Sequence, residues 1–153
     1  MKTPKQLKIT KTQFKNLAKL ITFVRAKVAP PKFDITSFHS EENDTPSEAV
    51  YNHCGTTACF CGYGPLAGIQ PRKHESWFDY ARRNFGAECS WFTPSELFDL
   101  LFSEDHKNSK VAACKRGAYF LQNGLPESDS LNTWETPRSF IPEWDAIAEI
   151  AKS

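Results

Sequence analysis

Apolar residues recur with helical periodicity near the start of the chain. In residues 10–29 they fall at i, i+3, i+4 and i+7 spacing, which places them on one face of a helix. The members of this apolar face are Phe14, Leu17, Leu20, Ile21, Val24 and Val28. A row of lysines, called the lysine stripe below, lies on the opposite side at Lys8, Lys11, Lys15 and Lys19. The pattern predicts an amphipathic helix that ends before Pro30, which cannot donate a backbone hydrogen bond.

Further helices are predicted in the second half of the chain. Residues 74–85 have helical spacing and precede Gly86, a residue type that commonly ends a helix. A longer helix is expected from the N-cap Ser109 to about residue 123, with Gly124 at its end. Its inward residues are predicted to be Val111, Cys114, Ala118 and Leu121. A terminal helix is expected to begin at Pro142.

The sequence Thr93-Pro94-Ser95-Glu96 is the clearest local signal for a helix start. Thr93 is expected to be the N-cap, Pro94 the first helical residue and Glu96 the returning carboxylate of a capping box. The apolar residues 97–102 would then form the body of this helix. Together the patterns predict an all-α fold, a single compact domain of five or six short helices over residues 1–153.

Some segments lack helical periodicity. Residues 1–9 are expected to be a basic tail, residues 40–48 an acidic surface loop, and residues 125–139 a loop before the C-terminal helix. Phe33 and Ile35, in a short alternating segment, are expected to point into the core.

Residues 53–64 hold three of the five cysteines and three of the seven glycines. Gly55 can adopt the positive φ of a tight turn, and Thr56 or Thr57 can then cap a helix. We expect this helix to run from about residue 57 to residue 67 and to be buried at the centre of the fold. The residues assigned to this structural motif are Cys54, Gly55, Thr56, Cys59 and Gly62.

The composition narrows the class of protein. A length of 153 residues is that of one domain, and 40% apolar residues are typical of a folded chain. No run of 18 apolar residues occurs, so no membrane partner is expected. Lysines interrupt the one stretch that could act as an export signal, and the odd number of cysteines favours reduced thiols. These features predict a cytoplasmic protein.

The net charge of +1 conceals an uneven distribution. Residues 1–32 hold eight lysines, one arginine and no acid, whereas the remainder of the chain has a net charge of −8. The basic segment is therefore expected either to dock on the chain's own acidic surface or to meet an acidic partner. A host protein is the expected partner, and nucleic acid is the alternative that a lysine stripe also fits.

The cysteines raise two chemical hypotheses. Thiolate and imidazole are ligands that zinc prefers, and His53, Cys54, Cys59 and Cys61 lie within nine residues. Their spacing does not match the usual pair of C-x₂₋₄-C elements, so no metal or other cofactor is the expected state and zinc is the alternative. Cys54 could also serve as a nucleophile with a histidine as base, although no known catalytic signature surrounds it.

Four stretches of this chain resemble a group of small, uncharacterised bacterial and phage proteins. The group pattern is a leading amphipathic helix, an F-D-[MI] segment, the element C-G-T-x-A-C-x-x-G and a later Thr-capped helix that ends in Leu-Phe. The matching stretches here are residues 14–28, 33–35, 54–62 and 93–102. The resemblance implies an all-helical fold, a phage or mobile-element origin and therefore the cytoplasm of a host cell.

The leading functional hypothesis is a small phage-type accessory protein that binds a host macromolecule, with inhibition as one form of that role. The lysine stripe and the acidic loop at residues 40–48 are its expected contact surfaces. The alternative is a small thiol- or zinc-dependent enzyme centred on Cys54, Cys59 and His53.

Overall fold

The structure, a computed structural model, describes residues 1–35, 45–47, 58–89 and 94–153. Five α-helices lie in these ranges. Their bounds are α1 Lys11–Lys27, α2 Trp77–Phe85, α3 Glu96–Phe102, α4 Lys110–Asn123 and α5 Trp144–Lys152. Single-turn 3₁₀ helices are found at Pro30–Lys32, Cys61–Tyr63 and Leu131–Thr133. The described ranges contain isolated bridges but no strand, so the predicted all-α fold is confirmed.

Helix α1 lies at the centre of the fold, because it contacts α2, α4 and α5. A capping box fixes its start: Thr10 Oγ1 accepts from the Gln13 amide at 3.1 Å, and Gln13 Oε1 accepts from the Thr10 amide at 2.9 Å. At its other end the ammonium group of Lys110 donates to the carbonyl oxygens of Arg25 and Val28. The predicted amphipathic helix is confirmed. Its buried residues are Leu17, Ala18, Leu20, Ile21 and Val24.

The basic segment ahead of α1 is packed against the rest of the protein. Leu7 is 8% exposed and belongs to the main apolar cluster. The Lys2 amide donates to the carbonyl oxygen of Leu121 in α4 at 3.0 Å. Burial of a leucine side chain contributes about 1.5–3 kcal/mol, which favours docking of this segment. The predicted basic tail, residues 1–9, is therefore anchored to the rest of the protein.

The helix predicted from residue 57 to residue 67 is wrong in its described part. Ala58 is instead extended and forms an isolated parallel bridge with Phe33. The Ala58 amide donates to the Lys32 carbonyl at 3.2 Å, and the Asp34 amide donates to the Ala58 carbonyl at 3.0 Å. The Ala58 carbonyl therefore pairs with Asp34 instead of with an amide one helical turn further along the chain. The motif residues Cys54, Gly55 and Thr56 lie outside the described residues.

Beyond Ala58 the chain makes tight turns with one 3₁₀ turn, Cys61–Tyr63. Gly62 and Gly64 lie within the predicted helix, and each lowers helix stability by about 1 kcal/mol. Pro65 has no amide hydrogen to donate to a preceding carbonyl. The Tyr63 hydroxyl donates to the Lys32 carbonyl, which ties this turn to the segment after α1. The stretch is buried as predicted, but it is not a helix.

Helix α3 begins two residues later than the prediction of Thr93 as N-cap and Pro94 as first helical residue. Its N-cap is Ser95, whose hydroxyl accepts from an amide of the first turn at 3.2 Å. The same hydroxyl accepts from the Glu88 amide at 3.1 Å, which holds Ser95 in an extended conformation. Glu96 therefore takes the first helical position instead of the third, and the predicted capping box is not formed.

The predicted ends of α2 and α4 are confirmed. Gly86 and Gly124 follow these helices with φ values of +74° and +87°, a backbone region that favours glycine. Ser109 caps α4 as expected, by accepting from a first-turn amide at 3.4 Å. Val111 was expected to point inward, but it is 56% exposed because it lies in the first turn at the edge of the buried face.

Other boundaries shift by a few residues. Helix α2 starts after the N-cap Ser76, because His74 has φ +60° and cannot be helical. Helix α5 starts two residues after Pro142. Residues 125–139 form the predicted loop, with the 3₁₀ turn Leu131–Thr133 inside it. Phe33 and Ile35 are buried, as predicted.

Candidate functional site

A cavity of about 540 Å³ opens between α2, α3 and the segments beside them. Its volume falls within the range of about 300–1,000 Å³ that is typical of ligand sites. The ring centroids of Phe78 and Phe98 lie 6.0 Å apart, and those of Phe98 and Phe102 lie 5.7 Å apart. These rings form an apolar floor. The other described lining residues are Ile35, Cys59, Cys89, Pro94, Asp99, Ser103, Glu104, Asp105 and Asn132.

Helix α3 places aromatic and acidic side chains next to each other on the cavity wall. Phe98 and Phe102 are four residues apart and therefore share one face of the helix. Asp99 follows Phe98 directly, so its carboxylate lies at the edge of that face. Ser103, the C-cap, then leads into Glu104 and Asp105, so the chain after the helix continues along the rim.

The rim of this cavity carries three acidic side chains, Asp99, Glu104 and Asp105, and we call the whole site the acidic cavity. The described lining residues include no lysine or arginine. Asn132 Nδ2 donates to Asp105 Oδ2 at 2.8 Å, which fixes the position of that carboxylate. Burial and then the negative charge of Asp105 raise the pKa of Asp99 above its usual value. The site therefore holds a negative charge that nearby described residues do not neutralise.

Two thiols also line the acidic cavity. Cys59 is 3% exposed, and burial raises its pKa to about 11. Cys89 is half-buried, and burial together with the charge of Asp99 raises its pKa as well. A nucleophilic cysteine needs a lowered pKa, so these two thiols are poorly suited to attack at neutral pH. Cys61 is fully buried, and burial raises its pKa far above the usual value.

The zinc hypothesis rests partly on residues that the structure does not describe. His53 and Cys54 lie outside the described ranges, whereas Cys59 and Cys61 are free thiols packed in the core. Among the described residues, no group of three or more histidine, cysteine or acidic side chains is placed to hold a metal ion. The expectation of no metal stays a prediction, and zinc binding by the four residues stays its alternative.

The lysine stripe is only partly available to a partner. Lys8 and Lys11 are exposed, whereas Lys15 and Lys19 are half-buried. The ammonium group of Lys15 donates to the carbonyl oxygen of Ser153, next to the end of α5. The ion pairs formed between described residues do not include a lysine of the stripe. The binding role of the stripe stays a prediction, as does that of the acidic loop, which lies mostly outside the described residues.

The sequence patterns missed the residues that make the acidic cavity. Phe78 lies in a predicted helix, but nothing in the pattern indicated that this aromatic side chain would be 45% exposed. Asp99 interrupts the apolar run of α3. An acidic residue within such an apolar run is the signal that could have pointed to α3. Asp105 gave no comparable signal, because its place in the site depends on Asn132, from the loop after α4.

Comparisons with known proteins assign no relative to the chain. No protein family, no curated protein and no solved structure shows a significant match to it. None of the helices in the described ranges is both long and apolar enough to cross a membrane.

Proposed function

We propose that this protein is a small accessory interaction protein, of the phage type that its resemblance implies, and that it docks on a basic segment of a host protein. The acidic cavity is the contact site. Its occupant is a stretch of the partner in which an aromatic or aliphatic side chain stands next to a lysine or arginine. Binding of this kind could inhibit the partner by covering the basic segment.

The observation that carries this proposal is the combination of an aromatic floor with an acidic rim. Phe78 offers apolar surface to an inserted side chain, and the buried rings of Phe98 and Phe102 lie behind it in the lining. Phe78 is 45% exposed, so part of this apolar surface is open to solvent. Burial of apolar area supplies the affinity of such contacts, at about 25 cal/mol per Å² removed from water.

The charge of the rim determines which partner fits. Asp99 and Asp105 repel each other, which is one reason why the pKa of Asp99 is raised. A lysine or arginine from a partner would relieve this repulsion and would be attracted to the site from a distance. An acidic segment would add to the repulsion. Charge complementarity therefore favours a basic occupant.

The other candidate surfaces have less support. Lys15 of the lysine stripe already contacts the end of α5, so fewer cationic groups are free there. The described thiols that could act in catalysis are buried, or half-buried in the case of Cys89, and all have raised pKa values. A cavity whose negative charge the described residues do not neutralise favours binding over thiol chemistry.

A selection from a displayed library of random peptides tests the proposal. The protein is immobilised, bound peptides are enriched, and the residue types of the enriched peptides are compared with the starting library. We expect enrichment of lysine or arginine adjacent to aromatic or aliphatic residues. The variant Asp99→Asn/Asp105→Asn should weaken binding of the selected peptides by about tenfold or more, because it removes two of the three acidic charges of the rim.

A matched control removes two acidic charges elsewhere. Asp145→Asn/Glu149→Gln changes exposed residues of α5 and leaves the acidic cavity intact. This control should retain the affinity of the original protein. Enrichment of acidic peptides would instead identify the lysine stripe as the contact surface and would refute the proposal. Equal loss of affinity in both variants would refute it too, because only the net charge would then matter.

A further inference from the structure

A second cavity, of about 200 Å³, lies beside the first turns of α4. Cationic and hydrogen-bonding groups dominate its walls. The described lining residues are Lys107, Ser109, Val111, Ala112, Lys115, Arg116, Glu135 and Thr136. Three of these side chains are cationic and one is acidic, so the lining has a net charge of +2. The acidic cavity shares none of these residues, so this is a separate site.

Arg116 is the unusual member of this lining. The residue is 2% exposed, and its Nε donates to the Leu100 carbonyl in α3 at 3.1 Å. Its Nη2 is buried and has no hydrogen-bond partner. The ion pairs between described residues do not include Arg116. A buried guanidinium group without a counter-ion is costly, and such groups are normally paired.

The surroundings of Arg116 explain its position but compensate its charge only in part, because the negative charge of Glu135 acts on the guanidinium group without forming an ion pair with it. His106 Nε2 bonds to the Asp99 carbonyl at 2.7 Å, next to the carbonyl that Arg116 contacts. Both side chains thus satisfy carbonyl groups in the last turns of α3. Burial lowers the pKa of Arg116 to about 10, so the guanidinium group keeps its charge at neutral pH. An anion from solution would compensate this charge.

The N-terminus of α4 adds further donors. Ser109 Oγ accepts from the Ala112 amide, which satisfies one amide of the first turn. The Lys110 and Val111 amides precede it and have no acceptor within the helix. Helix N-termini carry partial positive charge and are common binding sites for phosphate. This helix is 14 residues long, and its first turn lies at the cavity.

We propose that this second cavity binds a phosphate group, held by the guanidinium group of Arg116, the N-terminus of α4 and the ammonium groups of Lys107 and Lys115. A phosphate dianion matches the net charge of +2 on the lining. A planar guanidinium group suits phosphate, because it can donate two parallel hydrogen bonds to its oxygens. The hydroxyl group of Thr136 is a further donor in the lining.

An adjacent groove extends the site toward α1 and α5. Its volume is about 230 Å³, and it shares Val111 and Lys115 with the phosphate cavity. Trp144 lines it, with the Arg25 guanidinium carbon 4.6 Å from the Trp144 ring centroid. A phosphomonoester could place its phosphate at Arg116 and an apolar substituent along Val111. The same phosphate chemistry could also come from inorganic phosphate, and the experiment separates these sources.

Calorimetric titration tests the site with two probes, inorganic phosphate and phenyl phosphate. Ionic strength is held constant with sodium chloride, so that general screening contributes equally. We expect one phosphate per chain. The variant Lys107→Gln/Lys115→Gln should weaken binding about tenfold or more, the factor expected when a charged hydrogen bond is lost. It leaves Arg116 and its contact with α3 in place, so the fold is preserved.

Two further variants sharpen the test. Glu135→Gln should tighten phosphate binding, because it removes the one acidic side chain of the lining. Lys5→Gln/Lys11→Gln, which changes two exposed lysines outside the lining, is the matched control and should bind like the original protein. Tighter binding of phenyl phosphate than of inorganic phosphate would identify a phosphomonoester as the ligand. Equal affinity would identify free phosphate.

The proposal is overturned if neither probe binds at millimolar concentration. It is also overturned if Lys107→Gln/Lys115→Gln binds as tightly as Lys5→Gln/Lys11→Gln, because a non-specific charge effect would then explain the binding. Neither result bears on the acidic cavity, which shares no residue with this site.

Discussion

Gly64 is the position where a single methyl group should disturb the fold most clearly. A Cβ atom added there would lie 2.4 Å from the hydroxyl oxygen of Tyr80, 2.8 Å from Cε1 and 3.0 Å from Cζ. Tyr80 is fully buried, and its hydroxyl donates to the Ile69 carbonyl at 2.6 Å. The backbone at Gly64 has an ordinary helical conformation, with φ −54°. The conflict in Gly64→Ala is therefore with the tyrosine ring and not with the backbone.

The magnitude follows from how far that ring must move. Favourable contacts lie at about 3.5–4.0 Å, so the Tyr80 ring must shift by about 1 Å. Overpacking of this kind costs about 1–3 kcal/mol. A weakened hydrogen bond to Ile69 adds about 1 kcal/mol, whereas replacing glycine by alanine regains about 0.4–1 kcal/mol through the unfolded chain. We expect Gly64→Ala to lower the free energy of unfolding by about 1–3 kcal/mol.

Urea denaturation of four proteins measures this effect: the original chain, Gly64→Ala, Tyr80→Phe and the double variant. Tyr80→Phe removes the atom closest to the new methyl group, so the cost of Gly64→Ala should be smaller in that background. Gly68→Ala is a control, because φ is +80° there and no atom lies within 4 Å of the added Cβ. It should cost about 1–2 kcal/mol from backbone conformation, whether or not Tyr80 is changed. An unchanged stability of Gly64→Ala, or an equal cost in both Tyr80 backgrounds, would refute this packing.

Other perturbations give independent checks. Burial and then the charge of Arg116 lower the pKa of His106 to about 4, so its stabilising contribution is present above its ordinary pKa of 6.5 and is lost as the pH falls toward 4. As the pH falls over that range, the free energy of unfolding measured by urea denaturation should drop by about 2–3 kcal/mol. His106→Gln should make this pH dependence weaker. The same pH dependence in the variant and the original protein would contradict the assignment to His106. Burial alone would raise the pKa of Glu75, but hydrogen bonds from Arg83 at 2.6 and 2.7 Å outweigh it and lower that pKa. Glu75→Gln should therefore cost about 1–3 kcal/mol at neutral pH and progressively less as acid protonates Glu75, and a constant difference would count against the ion pair. With a thiol reagent at neutral pH, half-buried Cys89 should react before Cys59, whose pKa is about 11; the reverse order, read by mass spectrometry, would show that Cys59 is accessible.

Local sequence signals were sufficient for much of the helical fold. Both ends of helix α4 were predictable from the sequence, because the capping residues act locally. The Ser109 hydroxyl accepts from a first-turn amide, and the Gly124 amide donates to a carbonyl of the last turn. Helix α1 could be recognised because one face of its sequence is apolar throughout. In both cases the decisive interactions lie within or next to the helix. The start of α3 was missed by two residues because Ser95 also accepts from Glu88, in a segment before the helix.

The predictions failed where distant segments decide the structure. Ala58 is extended because its backbone pairs with Lys32 and Asp34. Arg116 lies in a helical sequence where a cationic residue is usually exposed, yet it is buried because Leu100 of another helix accepts its hydrogen bond. The acidic cavity likewise combines α2, α3 and the loop that contains Asn132. Such pairings depend on the packed fold and leave no periodic signal in the sequence.

The most direct test of the proposed docking site is an NMR titration of the labelled protein with two peptides of equal length. One peptide places lysines beside a phenylalanine, and the other replaces those lysines with glutamates. We predict that the basic peptide shifts the amide signals of Phe78, Phe98 and Asp105, and that the acidic peptide leaves them unchanged. Shifts confined to Lys8 and Lys11, or equal shifts with both peptides, would contradict the assignment of the acidic cavity as the docking site.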